Sequence, residues 1–304
     1  MSKEAFFISG FSSKHIGDDG AIINNNQVYS KDLFCEDIHF KRSWMRLSQI
    51  AEKSMLVNIS DAIAMNAKPK WAMIGVVIPK HFSYAELQEL SASFQNTAKQ
   101  YGMEIIGGDT TAGEKLMISI SVISELQGKA LYRKNAKVGD LVAFTGQLGA
   151  SYKELTRLLR GGSISKQSRF MKPELKADFV YKASKHLHAA MDISDGLSKD
   201  LSRLLKASGN VGLNVKHPMS KRILCSGEEY EMLFSFDARK KGIIKRIAKQ
   251  TRTKITIVGK IARKRYVCHC KEHHFLFFHA LQAKLESYVK LASVRQKHLK
   301  DSYD

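Results

Sequence analysis

The sequence of 304 residues contains few cysteines, few prolines and no long apolar run. Four cysteines in a chain of this length do not make a disulfide framework, so we expect free thiols and a cytoplasmic location. No apolar run reaches the roughly 18 residues that cross a bilayer, and the first residues lack an apolar signal segment. We therefore expect neither membrane insertion nor export.

Acidic residues are also a minority, because 29 Asp and Glu face 49 Lys and Arg for a formal net charge of +20. Such a surplus attracts nucleic acids, anionic membranes or phosphorylated small molecules. No nucleic-acid recognition motif accompanies the charge, so we interpret most of it as solvated surface and expect no nucleic-acid partner.

The apolar pattern alternates between helical and strand-like spacing, which predicts a mixed α/β (α+β) fold. In the first half it predicts a helix over 47–66, a buried strand over 71–79 and a second helix with a capping box at Ser83. A short strand over 103–106 and a turn at Gly107-Gly108 follow, and then a strand over 116–123.

The second half repeats the mixed pattern after a boundary near residue 140. We predict an N-terminal domain over 1–140 and an α/β domain over 141–304. Pro173 is expected at the first position of a helix, and residues 194–207 form another. The predicted strands cover residues 141–145, 211–215, 232–236 and 254–258.

Aspartates beside glycine or serine recur along the chain, although each such group alone is ordinary turn or capping chemistry. Together they fit a polyphosphate bound through several Mg²⁺ ions, because Mg²⁺ prefers oxygen ligands and is held by a few carboxylates plus phosphates. Asp61 stands on an apolar helix, where an unpaired carboxylate is costly and a metal ion would relieve that cost. The chain has neither a P-loop nor the protein-kinase motifs, so ATP would bind through another architecture.

The ordered motifs over residues 16–236 resemble those of the thiamine-monophosphate kinase family. That family belongs to the superfamily of aminoimidazole ribonucleotide synthetase and selenophosphate synthetase. The resemblance rests on Gly17-Asp18-Asp19, Asp32 through Phe40, Asn58 through Met65, Trp71, Gly107 through Thr111, Arg133 with Gly139-Asp140, Asp192 through Leu197, and Ser226 through Glu231.

The resemblance implies a two-lobed aminoimidazole ribonucleotide synthetase-like fold and a homodimer formed by N-terminal strands. It implies that the domain over 1–140 binds ATP and Mg²⁺ and forms the dimer. It also implies direct in-line phosphoryl transfer from ATP to thiamine monophosphate, which yields thiamine diphosphate. The implied Mg²⁺ ligands are Asp19, Ser30, Asp32, Asp61, Asp109, Asp192 and Asp195. The implied nucleotide contacts are Gly108, Asp109, Arg133 and Ser194, with Asp109, Asp192 and Arg133 central to catalysis. His39 and Glu228 would contact the thiamine substrate, and Phe277 or Phe278 would stack on it.

The sequence departs from the family pattern at three places. Lys31 replaces the usual threonine before Asp32, so its side chain cannot bind Mg²⁺. Ser226 and Glu229 replace smaller residues in the substrate loop, which predicts an altered loop. The usual N-terminal motif with a glutamate is not evident before Gly17.

Two other functions stay open at this point. The chain could be another ATP-dependent synthetase of the same superfamily, although the His39 segment and the Glu228 loop argue against it. It could also be a non-catalytic nucleic-acid-binding protein, which only the net charge favours. The segment Cys268-His269-Cys270 with His273 and His274 predicts a surface hairpin rather than a zinc site, since its spacing is not a standard zinc pattern.

Overall fold

Two five-stranded sheets with helices packed against them make up the computed structural model, which describes residues 3–270. The first sheet contains β1 (Ala21–Ile23), β2 (Gln27–Cys35), β3 (Ala67–Pro79), β4 (Glu104–Gly113) and β5 (Met117–Leu126). The second contains β6 (Leu141–Thr145), β7 (Leu187–Asp192), β8 (Gly212–Val215), β9 (Met232–Phe236) and β10 (Ile255–Ala262). The α-helices of these residues are α1 (Lys3–Ile8), α2 (Leu47–Ala64), α3 (Tyr84–Gln100), α4 (Ala150–Leu159), α5 (Ala177–Ala183), α6 (Leu197–Ala207), α7 (Lys221–Leu224) and α8 (Lys241–Gln250).

The first sheet has the order β1-β2-β5-β3-β4, and only the β3–β4 pair is parallel. A parallel pair needs a crossover connection, and α3 supplies it. The predicted capping box at the start of α3 is confirmed, because Ser83 Oγ accepts from the Glu86 backbone N–H and the Glu86 carboxylate accepts from the Ser83 N–H.

Helix α2 lies on the inner face of the first sheet and reaches the second lobe. Most of its residues are buried, including the polar Lys53, Asn58 and Ser60. A helix buried around most of its circumference belongs to the core rather than the surface. Its few polar side chains therefore need hydrogen-bond or ion-pair partners inside the protein.

The second sheet has the order β7-β9-β6-β10-β8 and is antiparallel throughout. The strands predicted over 141–145 and 232–236 have those bounds in the structure. The mixed α/β class and the two-lobed arrangement are confirmed. The division at residue 140 stays a prediction, because one apolar core contains residues of both sheets, such as Phe34 and Phe234.

Three local predictions were wrong. Gly107 and Gly108 lie inside β4 rather than in a turn, and a Cβ on Gly108 would lie 1.8 Å from the Ile74 carbonyl oxygen, so only glycine fits beside β3. Pro173 does not begin a helix, since α5 starts four residues later. Cys225 and Cys270 form a disulfide, whereas four free thiols were expected.

None of the helices within residues 3–270 combines the length and the apolarity that a bilayer span requires. The predictions for Phe277, Phe278, His273 and His274 fall outside the described residues. A helix does precede Gly17: α1 contains Glu4, which lies 3.9 Å from Arg203 of α6.

Candidate active site

Three carboxylates from distant parts of the chain meet between the two lobes. Asp19 precedes β1, Asp61 lies in the last turn of α2 and Asp192 ends β7. Each offers an oxygen, and these oxygens lie within 4.8 Å of one another. The expectation that scattered aspartates converge is therefore met for these three.

Burial and mutual repulsion dominate the electrostatics of this cluster. Burial, and then the charges of Asp32, Asp192 and Asp19, raise the pKa of Asp61 well above its usual value. Burial and the charge of Asp19 likewise raise the pKa of Asp192, which a hydrogen bond of 2.7 Å from Ser60 Oγ partly opposes. The positive charges around the cluster are thus too few to balance its three carboxylates.

Asp32 and Ser30 are held beside the cluster by one asparagine of α2. Asn58 Oδ1 accepts from the Asp32 backbone N–H at 2.9 Å, and Ser30 Oγ donates to the Asn58 carbonyl at 3.2 Å. Lys31 points to the opposite face of the sheet, where its ammonium donates to Ser119 Oγ at 2.7 Å. Strand alternation therefore keeps Asp32 on the cluster side although its neighbour has changed.

Arg133 closes one side of the cluster. Its guanidinium pairs with Asp19, and its backbone N–H donates to Asp18 Oδ1 at 2.7 Å. One oxygen of Asp19 and Nε of Arg133 are buried without a hydrogen-bond partner. Buried polar atoms normally have partners, so these two mark a place where a ligand would bind.

Asp195 and Ser194 occupy the loop between β7 and α6. Asp195 pairs with Arg203 and with Lys199 at 3.2 Å, and it is not one of the three clustered carboxylates. Its backbone N–H donates to Asp200 Oδ2 at 3.0 Å, and burial with the nearby Asp195 charge raises the pKa of Asp200 to about 7.

Glu228 and His39, the predicted thiamine contacts, lie on loops of different lobes. Glu228 has a φ of 54°, and its carboxylate pairs with the buried Lys53 at 2.6 Å. His39 Nδ1 accepts from the Cys35 backbone N–H at 3.0 Å, and its ring stacks on Phe34. The substituted loop residues Ser226 and Glu229 bond to each other, and Glu229 accepts from the Gly149 N–H at 2.7 Å at the start of α4.

Asp109 and Gly108 lie apart from the carboxylate cluster, on the edge strand β4. Asp109 is exposed and lines a cavity of about 210 Å³ together with Leu33 and Ser119, on the face of the sheet that carries Lys31. Asp109 is thus not brought to the cluster within this chain, and its roles stay predictions.

The clustered residues fit a hard divalent cation. Three carboxylates with raised pKa values, one of them with an orphaned buried oxygen, form an all-oxygen donor set of the kind that Mg²⁺ binds. Among residues 3–270 this is the one group of three or more potential ligands that approach so closely.

Several contributing residues received no individual role at the sequence level, although Asn58, Ser60 and Tyr230 lie in the motifs of the resembled family. Ser60, Asn58 and Lys53 have polar side chains on an otherwise apolar helix, and that contrast is the signal that could have identified them. The surroundings of Tyr230 become apparent only in the fold, where burial and then the charges of Glu228 and Asp32 raise its pKa well above the usual value.

Residues 17–126, which contain the first sheet, fit the family model of the AIR synthase related protein, N-terminal domain. Among solved structures, one described as AaThiL complexed with AMPPCP and TMP superposes with a TM-score of 0.78 and 25% identity, covering 90% of this chain and 96% of that one. The thiamine monophosphate kinase of Stenotrophomonas maltophilia gives a TM-score of 0.72 at 26% identity, over 87% and 94% of the two chains. The family match and these superpositions show that the chain has the fold of the AIR synthase-related class.

Similar sequences of known proteins identify one family within this class. The thiamine-monophosphate kinase of Buchnera aphidicola subsp. Schizaphis graminum is 34% identical over 285 residues, which cover 82% of this chain and 84% of the relative. The enzyme of that name from Bacillus subtilis is 29% identical over 277 residues, with coverage of 82% and 85%. The chain belongs to the thiamine-monophosphate kinase family.

Proposed function

We propose that the protein transfers the γ-phosphoryl group of ATP to the phosphate of thiamine monophosphate, which yields thiamine diphosphate and ADP. The observation that carries the proposal is the convergence of Asp19, Asp61 and Asp192 between the lobes. Family membership and the likeness to a structure complexed with AMPPCP and TMP support the same substrates.

The acceptor needs little activation, because the attacking atom is a phosphate oxygen that is already ionised. Phosphoryl transfer then depends on positioning and on neutralisation of charge, and a direct in-line reaction requires no phosphoenzyme. Asp19, Asp61 and Asp192, with Asp32 beside them, would hold Mg²⁺. When bound there, Mg²⁺ would neutralise phosphate charge and align the two anions.

The remaining predicted residues have separate tasks. Arg133, together with Gly108, Asp109 and Ser194, would contact the nucleotide. His39 and Glu228 would bind the thiamine moiety from opposite lobes. Asp195 would become a metal ligand only if its ion pairs with Arg203 and Lys199 were broken and a metal ion took their place.

The outer face of the first sheet supports a homodimer. Leu33, Met73, Ile106 and Met117 are large apolar residues of that sheet and are 54%, 46%, 50% and 40% exposed, and exposed apolar side chains gathered on one sheet favour an interaction site. A second copy of the chain would bind to this face. Light scattering at several protein concentrations should give a dimer mass, and Leu33→Lys should shift it to that of a monomer.

A cytoplasmic location stays part of the proposal. The free thiols of Cys35 and Cys268 agree with it, whereas the Cys225–Cys270 disulfide is a pairing that cytosolic reductants oppose.

Product analysis tests the function directly. Purified protein with ATP, Mg²⁺ and thiamine monophosphate should yield thiamine diphosphate and ADP in equal amounts, and chelation of the metal should stop the reaction. Formation of ADP without thiamine diphosphate would indicate another synthetase of the superfamily. Tight binding to random-sequence DNA at physiological salt, without turnover, would favour the nucleic-acid alternative.

A further inference from the structure

Lys53 is a fully buried lysine in the middle of α2, and the phosphoryl-transfer chemistry above does not use it. Its side chain has 0% exposure, although lysine is almost never fully buried unless its charge is paired. The cost of placing an ammonium there implies a partner that keeps it in the core.

The partner is the carboxylate of Glu228, whose Oε2 lies 2.6 Å from Lys53 Nζ. The same ammonium lies 3.9 Å from the ring centroid of Phe170 and 5.8 Å from that of Phe34. Phe34 in turn stacks on His39. Lys53 therefore touches both loops that carry the expected thiamine contacts, one directly and one through an aromatic ring.

The Glu228 loop has reason to need such support. Its φ of 54° is a left-handed conformation that a residue with a Cβ adopts at a cost. Two hydrogen bonds fix the backbone, from the Glu228 N–H to the Ser194 carbonyl at 2.7 Å and from Ser151 Oγ to the Glu228 carbonyl at 2.9 Å. Neither of them fixes the carboxylate, which the ion pair with Lys53 does.

The ion pair also determines what the carboxylate can offer to a ligand. The Glu228 side chain keeps 24% exposure, and one of its two oxygens is bound to Lys53. A carboxylate accepts several hydrogen bonds, so the group can still accept one from a bound ligand. Because the ammonium balances its charge, Glu228 acts there as an oriented acceptor rather than as a free anion.

We propose that Lys53 is a positioning residue that holds Glu228 in the orientation that binds the acceptor substrate, and thereby sets the affinity for thiamine monophosphate but not for ATP. The inference rests on the proposed function. It predicts that the energetic effect of Lys53 passes through Glu228, so the two residues are coupled across the lobes.

Steady-state kinetics of four variants test this coupling. Lys53→Met keeps most of the side-chain volume and removes the charge, Glu228→Gln keeps the shape of the partner, and the double variant combines them. Lys176→Met is the matched control, since Lys176 is a mostly buried lysine paired with Glu174 at 2.5 Å at another place in the protein. Thermal melting shows which of the variants are folded.

We expect Lys53→Met to raise the KM for thiamine monophosphate about tenfold or more and to leave the KM for ATP within about twofold of wild type, because it displaces a charged hydrogen-bonding group at one substrate only. In the Glu228→Gln background the same change should add little. Lys176→Met should alter neither constant.

Equal rises in both KM values, or an unchanged KM for thiamine monophosphate, would overturn the proposal. So would a double variant that is much weaker than Glu228→Gln alone, because Lys53 would then act independently of Glu228. The double variant contains no unpaired charge, so this comparison stands even where Lys53→Met alone does not fold. A wild-type protein that makes no thiamine diphosphate would instead refute the proposed function.

Discussion

Replacing Asp192 with asparagine should make the metal-free protein more stable while abolishing turnover. The oxygens of Asp192, Asp19 and Asp61 lie within 4.8 Å of one another, and two full charges at that separation repel by ~3.5 kcal/mol at an effective dielectric constant of about 20. Asparagine removes this repulsion and keeps an acceptor for the Ser60 hydroxyl. Proton uptake and the pairing of Arg133 with Asp19 already relieve part of the cost, so we expect a gain of about 1–3 kcal/mol in the free energy of unfolding.

Melting curves with chelator or with Mg²⁺ measure this effect, and each kcal/mol corresponds to roughly 2–4 °C for a chain of this size. Without metal, Asp192→Asn should melt above wild type. With Mg²⁺, wild type should gain stability and the variant should gain much less, because it has lost one ligand. A variant that melts lower without metal, or that gains as much from Mg²⁺ as wild type, would refute the metal assignment.

The stability that Asp192 contributes to the metal-free protein should also depend on pH. Burial and the charge of Asp19 raise the pKa of Asp192 in the folded protein above its value in the unfolded chain. The folded state therefore keeps the Asp192 proton to higher pH, and the contribution of Asp192 to the stability of the metal-free protein is largest in acid and is lost as the pH rises above about 4. The stability difference between Asp192→Asn and wild type should accordingly grow from acid to neutral pH.

Three further predictions concern other parts of the molecule. Asp109→Ala should melt like wild type, because Asp109 is exposed on an edge strand, yet it should form no thiamine diphosphate in the product analysis; wild-type turnover would remove Asp109 from the catalytic residues. Glu229→Ala should lower the free energy of unfolding by about 1–3 kcal/mol in denaturant titrations, since the buried Gly149 N–H loses its acceptor. Cys225→Ser should lower the free energy of unfolding by about 4 kcal/mol relative to the oxidised wild type, because it removes a cross-link between residues 45 positions apart. Relative to wild type kept in reductant it should change little. A wild type that is equally stable with and without reductant would show that the link to Cys270 does not form.

Regular periodicity made most of the elements predictable. The apolar spacing after Leu47 gave α2 to within two residues at its end, and the capping box at Ser83 gave the start of α3. The aspartates of the cluster were predictable for another reason, since each belongs to a motif of the resembled family. Their meeting in space required the fold, because they lie 42 and 131 residues apart along the chain (19 to 61 and 61 to 192).

Failures occurred where tertiary contacts override local rules. Gly107-Gly108 looks like a turn, but the pairing of β4 with β3 extends it, and the close approach of the Ile74 backbone explains the glycine instead. Pro173 is a good first residue of a helix, yet no regular helix follows it directly. The role of Lys53 was not predictable, because its partner Glu228 is 175 residues away.

Helix α2 fixes a distance as well as a set of contacts. Lys53 and Ser60, which bond to Glu228 and Asp192, are seven residues apart, so they project from the same side of the helix about 10 Å from each other. Two turns of helix thus set the distance between Glu228, which would bind the organic part of the acceptor, and Asp192, which lies where its phosphate would be received. Inserting one residue between Lys53 and Ser60 would rotate one of the two side chains by about 100° around the helix axis, away from its partner. The length of this helical segment therefore determines the length of acceptor that the site would fit.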